Sequence, residues 1–260
     1  MRKSPAPAPE RIESVDRALL LLGLLNRRRS VSVSEAAAEL GVAVSTAHRL
    51  LTTLRHRGFA VQDAERLYSA GPELIGAAVP ARSLPKLVRS LHPHLEQLFA
   101  EVGETVHVVV PAGMFVRFVD GVEGDQPLRV GLRTGGRMPA HCASGGKATL
   151  ADLDWSEVLA LYPQGLPPWP RAKIRDLPAL RRYLDGVRER GYAVNMEEGE
   201  AGVCAVGVSV RGPDRVPVAG ISVAVPSVRF DDAAVEPIRA ALSRVRHAAE
   251  QTLAAEGTGR

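Results

Sequence analysis

The feature that most constrains the fold is a pair of short helical patterns within residues 33–58, VSEAAAELGVAVSTAHRLLTTLRHRG. Ser32 and Glu35 have the S-x-x-E spacing of a capping box, which predicts a helix that begins at Val33. Gly41 suits the end of that helix, because glycine adopts the left-handed C-cap conformation without steric cost. Two short helices around a tight turn predict a helix-turn-helix.

The second helical pattern has an apolar face and a polar face. Its apolar residues follow the i, i+3, i+4, i+7 spacing of one helix face: Ala47, Leu50, Leu51 and Leu54. The opposite face has hydrogen-bonding groups and no acid, with Thr46 and Thr53 on its flanks: Ser45, His48, Arg49, Thr52 and His56. Base edges and phosphates in a DNA major groove offer many acceptors to such a face. The pattern favours a DNA-reading helix, although a solvated helical hairpin would have the same spacing.

The segments on either side extend this motif. Residues 59–61 and 66–69 are short strand-like runs around a turn at 62–65, which predicts a β-hairpin. Upstream, residues 14–26 predict a helix with Ser14 as N-cap. Its apolar stripe is Val15, Ala18, Leu19, Leu22 and Leu25. Of these, Val15, Leu19 and Leu22 would either close the core or supply part of a dimer interface. Three helices and a hairpin predict a winged helix-turn-helix over residues 11–71.

The distribution of charge agrees with this assignment. Residues 1–70 contain 11 Lys and Arg against 7 Asp and Glu, and residues 71–260 contain 22 of each. The whole net charge of +4 therefore lies in the first quarter of the chain. A basic run at residues 27–29 precedes the capping box, and beside a helix-turn-helix we expect it to contact phosphate.

The bulk composition limits the class of protein. The 260 residues can form two domains, and no apolar run reaches the ~18 residues of a membrane span. Residues 1–10 lack the apolar segment of a secretory signal, and their Pro and Ala content predicts a disordered tail. Two cysteines, Cys142 and Cys204, exclude a disulfide framework and fit a reducing cytoplasm.

The remainder of the chain predicts a second domain. Residues 72–85 are expected to be a linker, with a short helix at 73–79 and a break at 80–85, and residues 86–255 an effector-binding and oligomerisation domain. We expect helices at 86–102 (interrupted at Pro93), from the small-residue loop at 141–146 to 153, and at 155–162, 177–190 and 231–254. We expect strands at 105–110, 114–122, 128–132, 192–195, 204–210 and 218–225, and an irregular loop at 135–139. This order predicts an α+β fold with helices flanking an antiparallel sheet.

Three stretches resemble the IclR family of transcriptional regulators: residues 45–54 followed by Gly58 and Phe59; Pro139 and His141 followed by 146–151; and 191–198 followed by 202–205. The resemblance spans about residues 11–254. It implies a winged helix-turn-helix and a GAF-like effector-binding domain. It also implies dimers or tetramers on palindromic DNA operators, and control by small, often acidic, organic effectors.

Candidate site residues follow from the motif and the resemblance. For DNA we expect Ser34, Ser45, Thr46, His48, Arg49, Thr52 and Arg66. For an effector we expect His141, Ala143, Ser144, Gly145, Asn195, Cys204, Ala205 and Ser222. Small residues at a helix N-terminus let a carboxylate approach free N–H groups, although a tight loop that only packs has the same composition. Ser144, Gly145 and Asn195 match family pocket positions, and Glu198 matches a structural one.

Several of these residues also have simpler interpretations. Cys204 and Ser222 would face one pocket if their strands pair, but a buried cysteine is commonly a small apolar residue. Arg133 and Arg137 flank a glycine loop and could hold an acid, or be surface arginines.

The rival hypothesis is an enzyme or metal-binding protein that uses His141, Cys142 and Cys204, with His107 and Asp120 as further groups. No CxxC, HExxH or GxSxG pattern occurs. We therefore expect no catalytic residue, no metal and no cofactor; stoichiometric zinc in the purified protein would favour the rival.

Overall fold

The computed structural model describes residues 12–28, 30–63, 65–71, 74 and 84–257. The chain forms two compact units, residues 1–75 and 76–260, and each is described by itself. The predicted tail at 1–10 and, apart from Leu74, the predicted helix at 73–79 lie outside the described residues.

The first unit is the predicted winged helix-turn-helix. Its elements are α1 (Glu13–Arg27), α2 (Val33–Leu40), α3 (Val44–His56), β1 (Ala60–Gln62) and β2 (Tyr68–Ala70). The strands pair antiparallel, with Ala60 opposite Ala70. Val31 adds a short bridge to Tyr68, which ties the segment before α2 to the hairpin.

The capping box and the turn are present as predicted. The Ser32 hydroxyl accepts a hydrogen bond from the Glu35 N–H (3.2 Å), and the Glu35 carboxylate accepts one from the Ser32 N–H (2.7 Å). Gly41 ends α2 with φ of 62°. The tight turn therefore depends on a residue without a Cβ.

The predicted apolar stripe of α1 is partly wrong. The helix is capped at Ile12 instead of Ser14, and its buried face is Leu21, Leu24 and Leu25. Val15 is 51% exposed and Leu19 61% exposed, so neither closes the core. Leucines at 19–22 and at 24–25 make several faces of this helix apolar, and the spacing alone could not select one.

The second unit is α+β. Its helices are α4 (Leu84–Val102), α5 (Ser144–Ala151), α6 (Trp155–Leu161), α7 (Leu177–Arg190) and α8 (Asp232–Gly257). Its strands are β3 (Thr105–Ala112), β4 (Phe115–Val122), β5 (Arg137–Pro139), β6 (Ala193–Met196), β7 (Val203–Arg211) and β8 (Pro217–Pro226). The strands form one antiparallel sheet in the order β5-β4-β3-β8-β7-β6.

The sheet has two differently covered faces. Helices α4 and α8 pack on one face, where Leu91, Leu95 and Leu242 meet valines of β3, β7 and β8. Helix α5 lies on the other face, and α6 and α7 pack beyond it in a second apolar cluster. The functional cavity lies on this second face.

Four expectations for this unit were wrong. Leu84 and Pro85 belong to α4, and Pro93 lies on the exposed side of α4 without ending it. Residues 128–132 are not a strand, because β5, expected as a loop, takes the place beside β4. Instead, Val130 crosses the face of the sheet and packs on Ala205 and Ala224.

Candidate functional site

The polar face of α3 is displayed on the surface, as predicted. Ser34, Ser45, His48, Arg49 and Arg66 are exposed. Thr46 and Thr52 are half-buried, while the opposite face buries Ala47, Leu51 and Leu54. The Arg49 guanidinium has no ion pair within the described part of the chain, so it can form a new one without breaking an old one.

The start of α3 also offers backbone donors. Its N-cap, Ala43, makes no side-chain capping hydrogen bond. The first-turn N–H groups of a helix have no acceptor within the helix, and such groups bind anions, including DNA phosphates. This end of α3 is therefore suited to phosphate contact.

The wing is tied to the far end of α3. Arg55 Nη1 donates to the side-chain oxygen of Gln62 on β1 (2.8 Å), and Asp63 Oδ1 accepts the Leu67 N–H (2.9 Å). Arg66 is held at the hairpin tip with φ of 64°. Of the basic run at 27–29, Arg28 is exposed and lies 3.5 Å from Glu39, whereas Arg29 and the Arg27 side chain are outside the described residues.

In the second unit, the strand register assembles two rows of side chains on one face of the sheet. Directly paired residues point to the same face. One row runs across β4, β3, β8 and β7: Gly121, His107, Ser222 and Gly207. The next runs across β6, β7, β8 and β3: Asn195, Ala205, Ala224 and Thr105.

Glycines let the start of α5 rest directly on this face. A Cβ on Gly207 would lie 2.6 Å from the backbone nitrogen of Gly145, and one on Gly220 would lie 2.6 Å from the Gly145 carbonyl oxygen. Both distances are shorter than any real carbon contact, so only glycine fits. The N-terminus of α5 therefore forms one wall of a cavity whose opposite wall is the sheet.

That cavity is small and lined by both apolar and polar groups. Its volume is about 30 Å³. The N-cap of α5, Ala143, makes no side-chain capping hydrogen bond, which leaves first-turn N–H groups for a ligand. The lining residues are His107, Val109, Phe118, Arg133, Met138, Ala143, Ser144, Gly145, Asn195, Gly199, Glu200, Val203, Ala205, Ser222 and Ala224.

Six of the eight residues expected at the effector line this cavity: Ala143, Ser144, Gly145, Asn195, Ala205 and Ser222. His141 does not, because its ring packs edge-on against Tyr162 (6.4 Å between ring centroids). The expectation for Cys204 was also wrong: β7 and β8 pair, but Cys204 lies opposite Val225, on the other face of the sheet from Ser222.

Arg133 is on the cavity wall, whereas Arg137 is not. The Arg133 guanidinium forms an ion pair with Glu200 at the rim. These two residues and Val203 also line an outer groove of about 340 Å³, so the ion pair stands between the groove and the cavity. Arg137 instead lies over the Phe115 ring, 4.7 Å from its centroid.

A buried ion pair fixes the segment that supplies Asn195 and Gly199. Lys147 Nζ is 2.6 Å from Glu198 Oε1, with the two side chains 0% and 4% exposed. The Glu198 N–H donates to Asn195 Oδ1 (2.8 Å), so the Asn195 oxygen is already engaged. Lys147 was not singled out from the sequence, because nothing local marks a helix lysine as buried.

Burial holds two titratable groups at or near the cavity, His107 and Cys142, in their neutral forms. Burial, and then the positive charge of Arg133, lower the pKa of His107 to about 4. Burial, and then the negative charge of Glu198, raise the pKa of the Cys142 thiol to about 12. Cys142 is therefore a neutral buried thiol, which is unsuited to nucleophilic attack.

The rival metal site finds no support in the geometry. Across the described ranges, no group of three or more His, Cys, Asp or Glu side chains is placed to hold a metal ion. Nor does any helix of the described residues combine the length and the apolar character needed to span a membrane.

Family models match both units. The "IclR helix-turn-helix domain" matches residues 14–64, and "Bacterial transcriptional regulator IclR C-terminal" matches residues 81–253. The acetate operon repressor of Salmonella typhimurium is 31% identical, over 97% of this chain and 93% of that protein. The transcriptional repressor IclR of Escherichia coli is 32% identical over the same shares of each protein.

Solved structures agree on the fold. The crystal structure of the Thermotoga maritima IclR is 27% identical and covers 94% of this chain and all of that one, with a TM-score of 0.60. An IclR homolog from Microbacterium hydrocarbonoxydans, complexed with 4-hydroxybenzoate, is 24% identical and covers 94% of this chain and 99% of that one, with a TM-score of 0.57. The first unit has a helix-turn-helix with an acid-free polar face, and the second unit encloses a small cavity. The chain belongs to the IclR family of ligand-responsive, DNA-binding bacterial transcriptional regulators, which are not enzymes.

Proposed function

We propose that this regulator binds a palindromic DNA operator as a dimer, or as a tetramer of two dimers, and that a small organic acid in the cavity changes its operator affinity. The observation that supports this most is the cavity itself. An uncapped helix N-terminus, the amide of Asn195, the hydroxyl of Ser222 and the guanidinium of Arg133 converge there on a small volume. All of them can donate hydrogen bonds to an anion.

In this proposal α3 enters the major groove. Arg49 and Ser45 contact phosphates or base edges, with Thr46, His48 and Thr52 beside them. Arg66 at the wing tip, and Ser34 at the start of α2, meet the neighbouring backbone. The Arg49 guanidinium is exposed and has no ion pair within the described residues, which makes this residue the strongest candidate for a direct contact.

Dimerisation of the first unit would use α1. Ile12, Val15 and Leu19 are 71%, 51% and 61% exposed, and their spacing of three and four residues puts them on one side of the helix. A single α3 reads only a few base pairs, so a two-fold pair of motifs is needed for a specific site. An apolar stripe on each copy would supply the self-complementary contact.

The effector carboxylate would sit at the start of α5. Partial positive charge and the first-turn N–H groups of Ser144 and Gly145 favour an anion, and Arg133 adds a full positive charge at the rim. Asn195, Ala205 and Ser222 would line the remainder of the ligand. The small cavity favours a ligand of few atoms, and a larger one would require Met138 or the Arg133–Glu200 pair to move.

The proposal is tested by a fluorescence-anisotropy titration of the full chain. The DNA is a duplex from beside the protein's own gene, with a shuffled duplex as control, across a salt series. We expect sequence-specific binding whose affinity falls steeply as salt rises, because lysine and arginine contacts release counterions from DNA. A panel of small carboxylates, including 4-hydroxybenzoate, should then shift the affinity.

Two variants separate DNA contact from general damage. Arg49→Ala should weaken operator binding about tenfold or more and reduce the salt dependence by about one charge. Arg182→Ala removes the same charge from an exposed position on α7 and should change neither. Equal affinity of the Arg49→Ala and wild-type proteins would remove α3 from the proposed interface.

A further inference from the structure

Among the side chains that line the cavity, His107 has a fully buried polar atom that lacks a hydrogen-bond partner within the described residues. It is 1% exposed and its Nε2 atom is buried without a partner. The strand register places it directly opposite Ser222, in the row that faces α5. Buried ring nitrogens normally have a partner, so an unused one on a cavity wall indicates a ligand or a water molecule.

The ring has a defined surrounding. The edge of the ring contacts Phe118, with 5.2 Å between centroids and an angle of 79° between the planes. On β4 it faces Gly121, where a Cβ would lie 3.5 Å from the His107 Cδ2 atom. This apolar surrounding, together with Arg133, lowers the pKa of the ring, so the imidazole is neutral at physiological pH.

A neutral imidazole has one N–H and one nitrogen that accepts. Within the described residues no partner fixes which of these two forms Nε2 takes. As an acceptor, Nε2 needs a ligand group that donates a hydrogen bond, and as a donor it needs a ligand group that accepts one.

Several other polar groups of the cavity wall are suited to bind a carboxylate. The α5 N–H groups and Arg133 can only donate, and the Asn195 amide presents its NH₂ because its oxygen accepts from the Glu198 N–H. A plain carboxylate would satisfy these donors, but it has no hydrogen to donate to Nε2 when that atom presents its lone pair. A hydroxyl both donates and accepts, so a ligand that also has a hydroxyl would satisfy Nε2 in either tautomer.

Building on the proposed function, we propose that the effector is a hydroxy carboxylate: its carboxylate binds at the start of α5, and its hydroxyl forms a hydrogen bond with Nε2 of His107. His107 is then the residue that determines specificity for the hydroxylated acid over its deoxy analogue. Sites that hydrogen-bond a ligand hydroxyl discriminate strongly against analogues without it, because the buried polar group is left unpaired.

The test is isothermal titration calorimetry of the full-length protein with matched acids. The pairs are lactate and propionate, 3-hydroxybutyrate and butyrate, and 4-hydroxybenzoate and benzoate. In at least one pair we expect the hydroxylated acid to bind about tenfold or more tightly than its partner. Equal affinities within every pair that binds would overturn the role of His107 and leave the carboxylate site in place.

If none of the six acids binds, the carboxylate assignment fails, and this inference fails with it. The two failures are therefore distinguishable. A solvent molecule on Nε2 predicts the equal-affinity result, because it serves both members of a pair.

Variants assign the discrimination to the ring nitrogen. His107→Phe removes the ring nitrogens and keeps an aromatic ring beside Phe118, so the preference for the hydroxylated acid should fall to within about twofold while the deoxy acid binds as before. His107→Gln supplies a side-chain oxygen and should retain part of the preference, and it also serves if the phenylalanine variant does not fold. His247→Phe, at an exposed position of α8, is the matched control and should change nothing. An unchanged preference in both His107 variants would refute the assignment.

Discussion

Replacing Lys147 by methionine removes the positive half of the buried ion pair with Glu198 while keeping the volume of the side chain. The two charged atoms are 2.6 Å apart, and both side chains are excluded from water. At an effective dielectric constant near 20, their attraction is about 6 kcal/mol. The desolvation of two buried ions costs several kcal/mol each, so the net contribution of the intact pair is much smaller than this attraction.

Removing only one charge of the pair costs more than the net contribution of the intact pair, because the other charge stays buried. In Lys147→Met, the Glu198 carboxylate stays buried without its partner, and one of its oxygens, Oε2, has no hydrogen bond within the described residues even in the wild type. We therefore expect the free energy of unfolding of the second unit to fall by about 3–5 kcal/mol. The double variant Lys147→Met, Glu198→Leu replaces the pair by apolar groups and should recover most of that loss.

The assay is urea unfolding followed by tryptophan fluorescence. Both tryptophans of the chain, Trp155 and Trp169, lie in the second unit, so the signal does not report the winged helix. Trp169 also donates to the Gly199 carbonyl (3.2 Å), next to the segment that Glu198 anchors. A loss below about 1 kcal/mol in the single variant, or additive losses in the double variant, would refute the claim that these charges are buried and coupled.

Three further predictions concern the same unit. Gly207→Ala should abolish effector binding and destabilise the unit by about 1–3 kcal/mol, because its Cβ would meet the α5 backbone. The control Gly186→Ala on α7 meets only the flexible end of Arg190 and should be neutral or slightly stabilising. Calorimetric titration with the effector should show binding to the Gly186→Ala variant and none to the Gly207→Ala variant. Burial lowers the pKa of His107 and of His141 to about 4, so between pH 6.5 and 4 the unfolded chain binds protons that the folded chain does not. The free energy of unfolding is therefore highest above about pH 6.5, and it falls by about 2 kcal/mol per ring between pH 7 and pH 5. A urea unfolding midpoint that does not change with pH over this range would contradict the claim that these buried rings are neutral. Burial raises the pKa of both cysteine thiols, so neither Cys142 nor Cys204 should react with a thiol reagent at pH 8 until urea unfolds the chain; fast labelling of the native protein would show that a thiol is accessible.

Local signals were sufficient for the first unit. The capping box at Ser32, the left-handed Gly41 and the apolar side of α3 each depend on residues a few positions apart, and each is present as predicted. Local signals could not predict which face of α1 is buried. With leucine at most positions, the choice of buried face is made by the tertiary partners of Leu21, Leu24 and Leu25.

The cavity depended on information that the sequence does not display locally. Alternation along β7 predicts that Cys204 and Ala205 face opposite sides, but only the register with β8 decides which of them shares a face with Ser222. The partnership of Lys147 with Glu198 and the unused nitrogen of His107 both join residues from distant parts of the chain. Sequence reasoning named His107 only as a possible member of a nucleophile or metal site, because its position opposite Ser222 depends on the strand register.

The floor of the cavity is made of strand backbone, and this has a consequence for how such a receptor can diversify. Gly207 and Gly220 are fixed by the contact with α5, so substitutions there damage the fold. Ala205 and Ala224 lie in the neighbouring row of the same sheet face, and their small side chains point at the ligand space. New chemical preferences could therefore arise by enlarging or adding polar groups at these two alanines, while the architecture that holds the pocket stays unchanged. For the engineering of a biosensor, a library restricted to these two positions is the natural first choice.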